Sequence, residues 1–342
     1  MKQHLNTLFV TKEGVWLARE GETVCVQEKG KTLMRVPLHN LQSIVTMGWE
    51  ISASAQLMAA CAENNIGLSF CTPHGRFLAS AVGYTPGNVL LRRAQYRRAD
   101  DEESSMAIAR EMIAAKITNG RHVLLRAARD HGEMQNHLRP LAEELVPCVR
   151  NARKAATRAE LLGIEGHAAD IYFSAFPTLL INRTRAIYFS GRNRRPPKDA
   201  VNALLSFLYA LLAQDCRSGL EACGLDSAVG FFHRDRPGRP GLALDLMEEL
   251  RAPLADRLAL SLLNRQQLTD KDFTIEASGA VFLKEDSRKI VITAWQERKK
   301  EIIEHPYLQE KMTIGFVPHI QARLLARYVR GDLDAYPPMI WK

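Results

Sequence analysis

Short runs of β-branched and aromatic residues alternate with turn and polar residues through the first eighty positions. This composition, interrupted by turn residues, predicts a small sheet. Residues 52–64 are alanine-rich and begin with a serine, which predicts a helix with an N-terminal cap. The predicted strands are 8–10, 15–17, 23–26, 32–36, 43–45, 66–71 and 77–80.

The pattern changes at residues 83–87, where glycine and proline break it and where we place a domain boundary. Apolar positions then recur at helical spacing over most of the remaining chain. The expected fold class is α+β, with a β-rich N-terminal domain at 1–83 and a larger all-α domain at 84–342. The predicted helices are 89–98, 104–118, 120–130, 135–161, 165–180, 198–215, 241–263, 288–304 and 315–330.

The composition is that of a globular protein: 46% of the 342 residues are hydrophobic and 25% are charged. These values exclude a disordered chain and a collagen-like chain. The six cysteines form no Cys-x-x-Cys pair, which argues against a zinc ribbon and against a disulfide framework. The longest uncharged run, 200–214, is shorter than a membrane-spanning helix requires. We therefore expect a cytoplasmic protein without a membrane anchor.

Positive charge is concentrated in the middle of the chain. The formal net charge is +8, and residues 81–200 contribute +7 of it, with 20 basic and 13 acidic side chains. Arginine outnumbers lysine by 32 to 14, and the planar guanidinium matches phosphate oxygens in pairs. Nucleic acid is therefore the leading partner, although a solvated basic surface would have the same composition.

Two segments carry a titratable residue in an apolar setting. Glu165 lies between two glycines, in a small-residue stretch where we place the start of a helix. Its carboxylate is either a helix-start charge or a ligand. His233 ends the apolar run 224–233 just before a charged loop, and it is either a core histidine or a ligand.

A third segment carries three acids. Asp245, Glu248 and Glu249 stand at helical spacing, which predicts that they share one face. Like charges at that spacing repel one another unless a cation neutralises them. Arg251 as a counter-ion on a solvated face is the simplest alternative. Combined with His233, however, Glu165 and an acid of this third segment are carboxylates from separate helices, and they form a donor set for Mg²⁺ or Mn²⁺. Such an ion offsets the negative charge that builds up during phosphoryl transfer.

Four blocks, at 163–173, 201–209, 224–233 and 244–251, resemble the CRISPR-associated integrase/endonucleases of spacer acquisition, the Cas-one family. Stretches 89–96 and 321–325 agree as well, in the same order. The resemblance implies a β-rich N-terminal dimerisation domain and a helical catalytic and DNA-binding domain. It implies a metal-dependent DNA endonuclease and integrase of antiviral defense, which inserts prespacer DNA into the CRISPR array by transesterification. The implied partners are double-stranded prespacer and repeat DNA, a second copy of the chain, and the small second adaptation subunit.

The same resemblance implies the residues of the site. Mg²⁺ or Mn²⁺ would be held by Glu165, His233 and Glu248, and Asp245 would be a supporting or alternate catalytic acid one turn earlier. Many relatives have aspartate at the position of Glu248. Two side chains, Tyr172 and Asn202, are expected to support the site. Five arginines are candidates for DNA binding, the last three on charge alone: Arg92, Arg93, Arg192, Arg194 and Arg195.

Two other functions fit the same residues. A stand-alone metal-dependent nuclease of DNA repair would use the same ion without depending on a repeat sequence. A non-enzymatic nucleic-acid-binding scaffold would use the carboxylates only in salt bridges, and it would not respond to added metal.

Overall fold

The computed structural model describes residues 6–64, 66–73, 77–81, 83, 89–181 and 187–341. The chain divides into two compact units, Met1–Gly87 and Asn88–Lys342. Of the predicted break at 83–87, only Gly83 lies within the described residues. The boundary between residues 83 and 84, and a dimerisation role for the first unit, stay predictions.

The N-terminal unit contains two four-stranded sheets and one helix. The first sheet has the order β1-β5-β7-β8 and is parallel except at β8, and the second has the order β4-β3-β2-β6 and is antiparallel except at β6. Buried apolar residues of both sheets and of the helix form one core. The elements are β1 (Asn6–Val10), β2 (Trp16–Glu20), β3 (Thr23–Glu28), β4 (Lys31–Pro37), β5 (Leu41–Met47), β6 (Ser52–Ala53), α1 (Ala55–Glu63), β7 (Gly67–Cys71) and β8 (Phe77–Ala81).

Every predicted strand of this unit is present, but the helix begins later than predicted. Ser52 and Ala53 form β6, which pairs with β2, and the backbone N–H of Ser52 donates to Val15 O at 3.2 Å. Ser54 is the actual cap, and its hydroxyl accepts from the Leu57 N–H at 3.2 Å. The first two residues of the predicted helix therefore pair with the sheet edge instead.

The C-terminal unit is mostly helical, but the expectation of an all-α domain is wrong in one respect, because the unit also contains two short antiparallel hairpins. The α+β fold class is confirmed. A turn of π-helix, Arg251–Asp256, separates two of the helices. The elements are α2 (Val89–Asp100), α3 (Glu102–Asp130), α4 (Gln135–Lys154), α5 (Arg158–Ser174), α6 (Phe176–Leu179), α7 (Ala200–Ala222), α8 (Gly241–Glu248), α9 (Arg257–Asn264), β9 (Phe273–Ile275), β10 (Val281–Leu283), α10 (Glu285–Lys300), β11 (Ile302–Glu304), β12 (Lys311–Thr313) and α11 (Val317–Arg330).

Several helix boundaries differ from the prediction. The predicted helices 104–118 and 120–130 are one helix, α3, because Gly120 continues it where the Tyr172 ring packs close. The predicted helix 135–161 ends early, and Thr157 caps α5 by accepting from the Glu160 N–H at 3.2 Å. Glu165 therefore lies in the middle of α5, and its interpretation as a helix-start charge is wrong.

Helix α3 is the central element of this unit. It contacts α4, α5, α8 and the π-helical turn, and its middle section is buried on several sides. The described part of the chain contains no helix with the length and apolarity needed to cross a membrane. None of the six cysteines, all within the described residues, forms a disulfide.

Candidate active site

Two carboxylates from different helices meet at one lysine. Lys116 lies in the middle of α3, and its ammonium forms ion pairs with Glu165 Oε1 on α5 and with Glu248 Oε2 on α8, the latter at 2.8 Å. The side chains of Lys116, Glu165 and Glu248 are 17%, 19% and 3% exposed. Buried acids remain ionised only beside a positive charge. The two acids therefore share the single positive charge of the lysine, and Arg251 supplies a second positive charge beside Glu248.

Asp245 on α8 fixes the orientation of His233. The fully buried carboxylate accepts the backbone N–H groups of Phe231 at 2.6 Å, Phe232 at 2.9 Å and His233 at 2.9 Å. The His233 Nδ1 lies 2.6 Å from Asp245 Oδ1 and donates to this acceptor. The other ring nitrogen, Nε2, lies 3.9 Å from Glu248 Oε1. Asp245 thus holds the imidazole, and its own oxygens are already occupied.

Two glycines allow the loop that carries His233 to approach α8. A Cβ at Gly230 would lie 2.7 Å from the Gly241 carbonyl carbon and 2.8 Å from Asp245 Oδ2. A Cβ at Gly241 would lie 2.7 Å from the Ala228 oxygen. Larger residues would separate the loop from the helix, so the hydrogen bonds to Asp245 require glycine at both positions.

Glu248 is an ionised, buried acid. Burial opposes its ionisation, but Arg251, Lys116 and His233 outweigh that effect and lower the pKa of Glu248 to about 2. Arg251 Nη2 lies 3.1 Å from Glu248 Oε1. Glu248 Oε2 pairs with the Lys116 ammonium at 2.8 Å. A carboxylate oxygen has a second lone pair, which a metal cation could use.

A pocket of about 700 Å³ lies beside these acids. Its lining includes four cations, three acids and four aromatic rings, together with small and aliphatic residues. Such a lining fits an anionic ligand that also presents flat apolar surface. The cationic lining residues are Lys116, Arg192, Arg194 and Arg251, and the aromatic ones are Tyr172, Phe173, Phe189 and Tyr209.

Two tyrosines in the lining of this pocket converge on one buried acid. The hydroxyls of Tyr172 and Tyr209 donate to Asp256 at 3.0 and 2.7 Å. Burial raises the pKa of Asp256 to about 6, although both tyrosines act in the opposite direction. The guanidiniums of Arg192 and Arg251 lie 5.3 and 5.0 Å from the centroid of the Tyr209 ring. The cluster holds both arginines beside the pocket.

Asn202, at the start of α7, organises the turn that carries Arg192. Its Oδ1 accepts from Arg192 Nη1 at 2.5 Å and from the Asn193 N–H at 3.1 Å. Its Nδ2 donates to Gly191 O at 2.9 Å and to Asp199 Oδ2 at 2.6 Å. The contact of Asn202 with the site is therefore made through an arginine.

The structure brings Glu165, His233, Asp245 and Glu248 together, but it separates Glu249 from them. Helix α8 ends at Glu248, so the expected shared face does not extend to the next residue. The buried Glu249 carboxylate accepts instead from the Tyr336 hydroxyl at 2.5 Å, Gln321 Nε2 at 2.9 Å and the Met339 N–H at 2.6 Å. The prediction that all three acids share one face is wrong for Glu249.

The five candidate arginines occupy different places. Arg192 and Arg194 line the pocket, and Arg195 follows them as an exposed side chain. Arg92 and Arg93 lie on α2 and do not line it. DNA contact by any of these arginines stays a prediction.

Lys116 is the site residue that sequence reasoning missed. A signal was present, because it is the only charged residue between Glu111 and Arg121 in an otherwise apolar or neutral helical stretch. A lone charge in such a stretch indicates a buried ionic partner. The partner itself comes from α5 and α8, which no local pattern identifies.

The donors suit a divalent cation, although the lysine now stands between the two acids. Among the described residues, no group of three or more His, Cys, Asp or Glu side chains is arranged to hold a metal ion. The Glu248 and Glu165 carboxylates and the His233 Nε2 offer two oxygen donors and one nitrogen donor. This chemistry fits Mg²⁺ or Mn²⁺ once the ammonium is displaced.

Comparison with known proteins gives one consistent family. The family model described as CRISPR associated protein Cas1 matches residues 8–297. The chain is 50% identical over 344 residues to the CRISPR-associated endonuclease Cas1 1 of Chlorobaculum tepidum, with both proteins covered in full. The fold is similar to a casposase bound to integration product, with a TM-score of 0.85, 20% identity, and coverage of 99% of this chain and 95% of that one. It is also similar to a chain of a Cas6-RT-Cas1–Cas2 complex, with a TM-score of 0.82, 23% identity, and coverage of 99% of this chain and 36% of that one.

Proposed function

Because the chain belongs to the CRISPR-associated Cas1 family of endonucleases, we propose that it is a metal-dependent DNA endonuclease and integrase of CRISPR adaptation. The reaction is a phosphodiester transesterification that inserts prespacer DNA into the CRISPR array. The observation that carries the proposal is the convergence of Glu165, His233 and Glu248 beside a basic pocket. The mixed ionic and aromatic lining of that pocket suits nucleic acid.

Glu165, His233 and Glu248 would hold Mg²⁺ or Mn²⁺. When bound, such an ion stabilises negative charge on the reacting phosphoryl group and on the attacking and leaving oxygens. Asp245 acts as a positioning residue because it fixes the imidazole with Nε2 facing Glu248. Without the ion, Lys116 offsets part of the negative charge of the two acids.

The remaining residues of the pocket act on the DNA strand. Arg192, Arg194 and Arg251 would pair with non-bridging phosphate oxygens, where charge is present before and during the reaction. The nucleophile is a DNA 3′-hydroxyl in integration and water in cleavage. In both reactions the new P–O bond forms in line with the bond that breaks, and the departing oxygen accepts a proton.

The proposal includes the partners of this reaction. They are double-stranded prespacer and repeat DNA, a second copy of the chain that associates through residues 1–83, and a small second adaptation subunit. The likeness to the casposase and to the Cas6-RT-Cas1–Cas2 complex supports the proposal through the fold. The lack of disulfides among the described cysteines fits action in the cytoplasm.

Substitution of the proposed ligands tests this function. Glu165→Gln and His233→Ala should each lower Mn²⁺-dependent cleavage and joining of repeat-containing DNA by about 100-fold or more. His167→Ala is a matched control, because that histidine is exposed on α5 two residues from Glu165 and does not line the pocket. Retained activity in both ligand variants refutes the assignment.

The same assay distinguishes the alternatives. Cleavage that needs metal but ignores the repeat sequence would favour a repair nuclease. Absence of any metal-dependent activity, together with unchanged melting of the protein in Mn²⁺, would favour a scaffold.

A further inference from the structure

A second pocket, of about 330 Å³, lies on another face of α3. Its lining includes Arg126 and Arg129 of α3, Arg257 at the start of α9, and Trp341 near the C-terminus. Among the residues that the structure describes, the two pockets share no lining residue. At 1.5 Å per residue, Arg126 lies about 15 Å along the helix from Lys116. The pocket is therefore a distinct feature of the same unit.

The α3 side of this pocket carries more positive than negative charge. Arg126 Nε lies 3.6 Å from Asp130 Oδ2, and Arg129 Nε lies 3.4 Å from Asp130 Oδ1. One carboxylate thus serves two guanidiniums. Neither aspartate nor glutamate is among the described residues that line the pocket.

Arg257 adds a positive charge that forms no ion pair in the described part of the chain. Its cationic neighbours include Arg298, whose own partner is Glu301. Burial, followed by repulsion from Arg298 and Arg126, lowers the pKa of Arg257 to about 10, although Glu301 and Asp130 act in the opposite direction. A half-buried cation beside like charges destabilises the fold, and an anionic ligand would remove that cost.

Trp341 adds an aromatic surface to this cationic pocket. Its backbone N–H donates to Asn119 Oδ1 at 2.7 Å, and its carbonyl contacts His122 Nδ1. The Arg298 guanidinium lies 5.9 Å from the centroid of a Trp341 ring. The Trp341 backbone is therefore anchored to α3, which fixes the position of the indole ring. A basic groove combined with an aromatic ring is the arrangement by which proteins bind single-stranded nucleic acids.

We propose that this pocket binds a phosphate of single-stranded DNA, with the adjoining base stacked on Trp341. Arg257 and Arg126 contact the phosphate oxygens. The site goes beyond the proposed reaction, because it binds DNA without metal and without bond cleavage. Arg126, which would contact the strand, lies about 15 Å along α3 from Lys116.

Binding of labelled oligo-dT to the full-length protein in EDTA, followed by fluorescence anisotropy at several salt concentrations, tests the site. Arg257→Gln should weaken binding about tenfold and reduce the salt-dependence slope by about 0.7, the value for one phosphate contact on a single strand. Its melting temperature should stay the same or rise, since a repelled charge is removed. Arg265→Gln, an exposed arginine at the end of α9 that does not line the pocket, is the matched control and should change neither quantity.

Trp341 provides the second measurement. Trp341→Ala should weaken oligo-dT binding about fivefold or more, and Trp341→Phe should remove most of the tryptophan quenching that DNA produces. Equal affinities of Arg257→Gln and Arg265→Gln overturn the proposal. If Arg257→Gln has a lower melting temperature than the unchanged protein, the fluorescence quenching is the deciding measurement. Equal quenching by DNA in Trp341→Phe and in the unchanged protein then overturns the proposal.

One further measurement distinguishes DNA binding at this pocket from binding of an acidic protein. Polyglutamate that binds better than oligo-dT, and that loses affinity in Arg257→Gln, would assign the pocket to an acidic protein and overturn DNA binding. The titrations are made in EDTA, so they require no metal ion at the active-site acids. Failure of the proposed catalytic function would therefore leave this test intact.

Discussion

Replacing Lys116 by methionine tests whether the site is built for a cation. The change removes the ammonium that contacts Glu165 and Glu248 and keeps an unbranched side chain of similar length. The two acids are then left with Arg251, which contacts only Glu248. We expect the variant to be less stable than the unchanged protein in EDTA and to regain stability in Mn²⁺.

The size of the effect follows from the burial of the three side chains. Removing one partner of a buried ion pair costs about 3–5 kcal/mol. Lys116 and Glu165 retain some exposure and Arg251 remains, so we expect the lower end, about 3 kcal/mol. For a unit of this size each kcal/mol corresponds to about 2–4 °C, so the melting temperature should fall by about 6–12 °C.

Calorimetry of the full-length protein in EDTA and in Mn²⁺ measures the effect. The gain from Mn²⁺ should be larger in Lys116→Met than in the unchanged protein, because in the latter the ion must displace the ammonium. Lys299→Met is the matched control. It breaks the buried pair with Asp215, whose Oδ1 lies 2.9 Å from the lysine Nζ, and Mn²⁺ should not restore its stability. If Lys116→Met and the unchanged protein melt at the same temperature in EDTA, or if Mn²⁺ stabilises these two proteins equally, the site is not built for a cation.

Two further predictions follow from the acids behind the site. Asp245→Asn should lower Mn²⁺ affinity and cleavage by about 10- to 100-fold. It should also lower the free energy of unfolding by about 2–3 kcal/mol, because the amide cannot accept all the N–H groups that reach Asp245. An unchanged Mn²⁺ titration would contradict this prediction. The pKa of Asp256 is raised from 3.8 to about 6, so the folded protein binds a proton there more tightly than the unfolded chain does. The stability that this proton contributes is present below about pH 4 and is lost as the pH rises through about 6. Asp256→Asn should flatten that part of the melting temperature profile, and an identical profile in both proteins would count against it.

Much of the fold was predictable because it follows from local patterns. Strand runs of the first eighty residues alternate with turn residues, and each became a strand. Helical periodicity identified the second unit, but its boundaries depended on caps such as Thr157 and on the continuous path of α3 through Gly120. The two hairpins at β9–β12 were missed because three-residue strands carry almost no periodicity.

The sequence by itself determined that Glu165, His233, Asp245 and Glu248 are chemically suited to one site. It contained no information on which acid would hold the imidazole, because Asp245 and Glu248 are one helical turn apart and have the same charge. Only the tertiary structure decided this, by presenting three backbone N–H groups and the imidazole Nδ1 to Asp245 and leaving Glu248 beside Lys116. Electrostatic roles depend on distance and burial, and both arise when remote segments pack together.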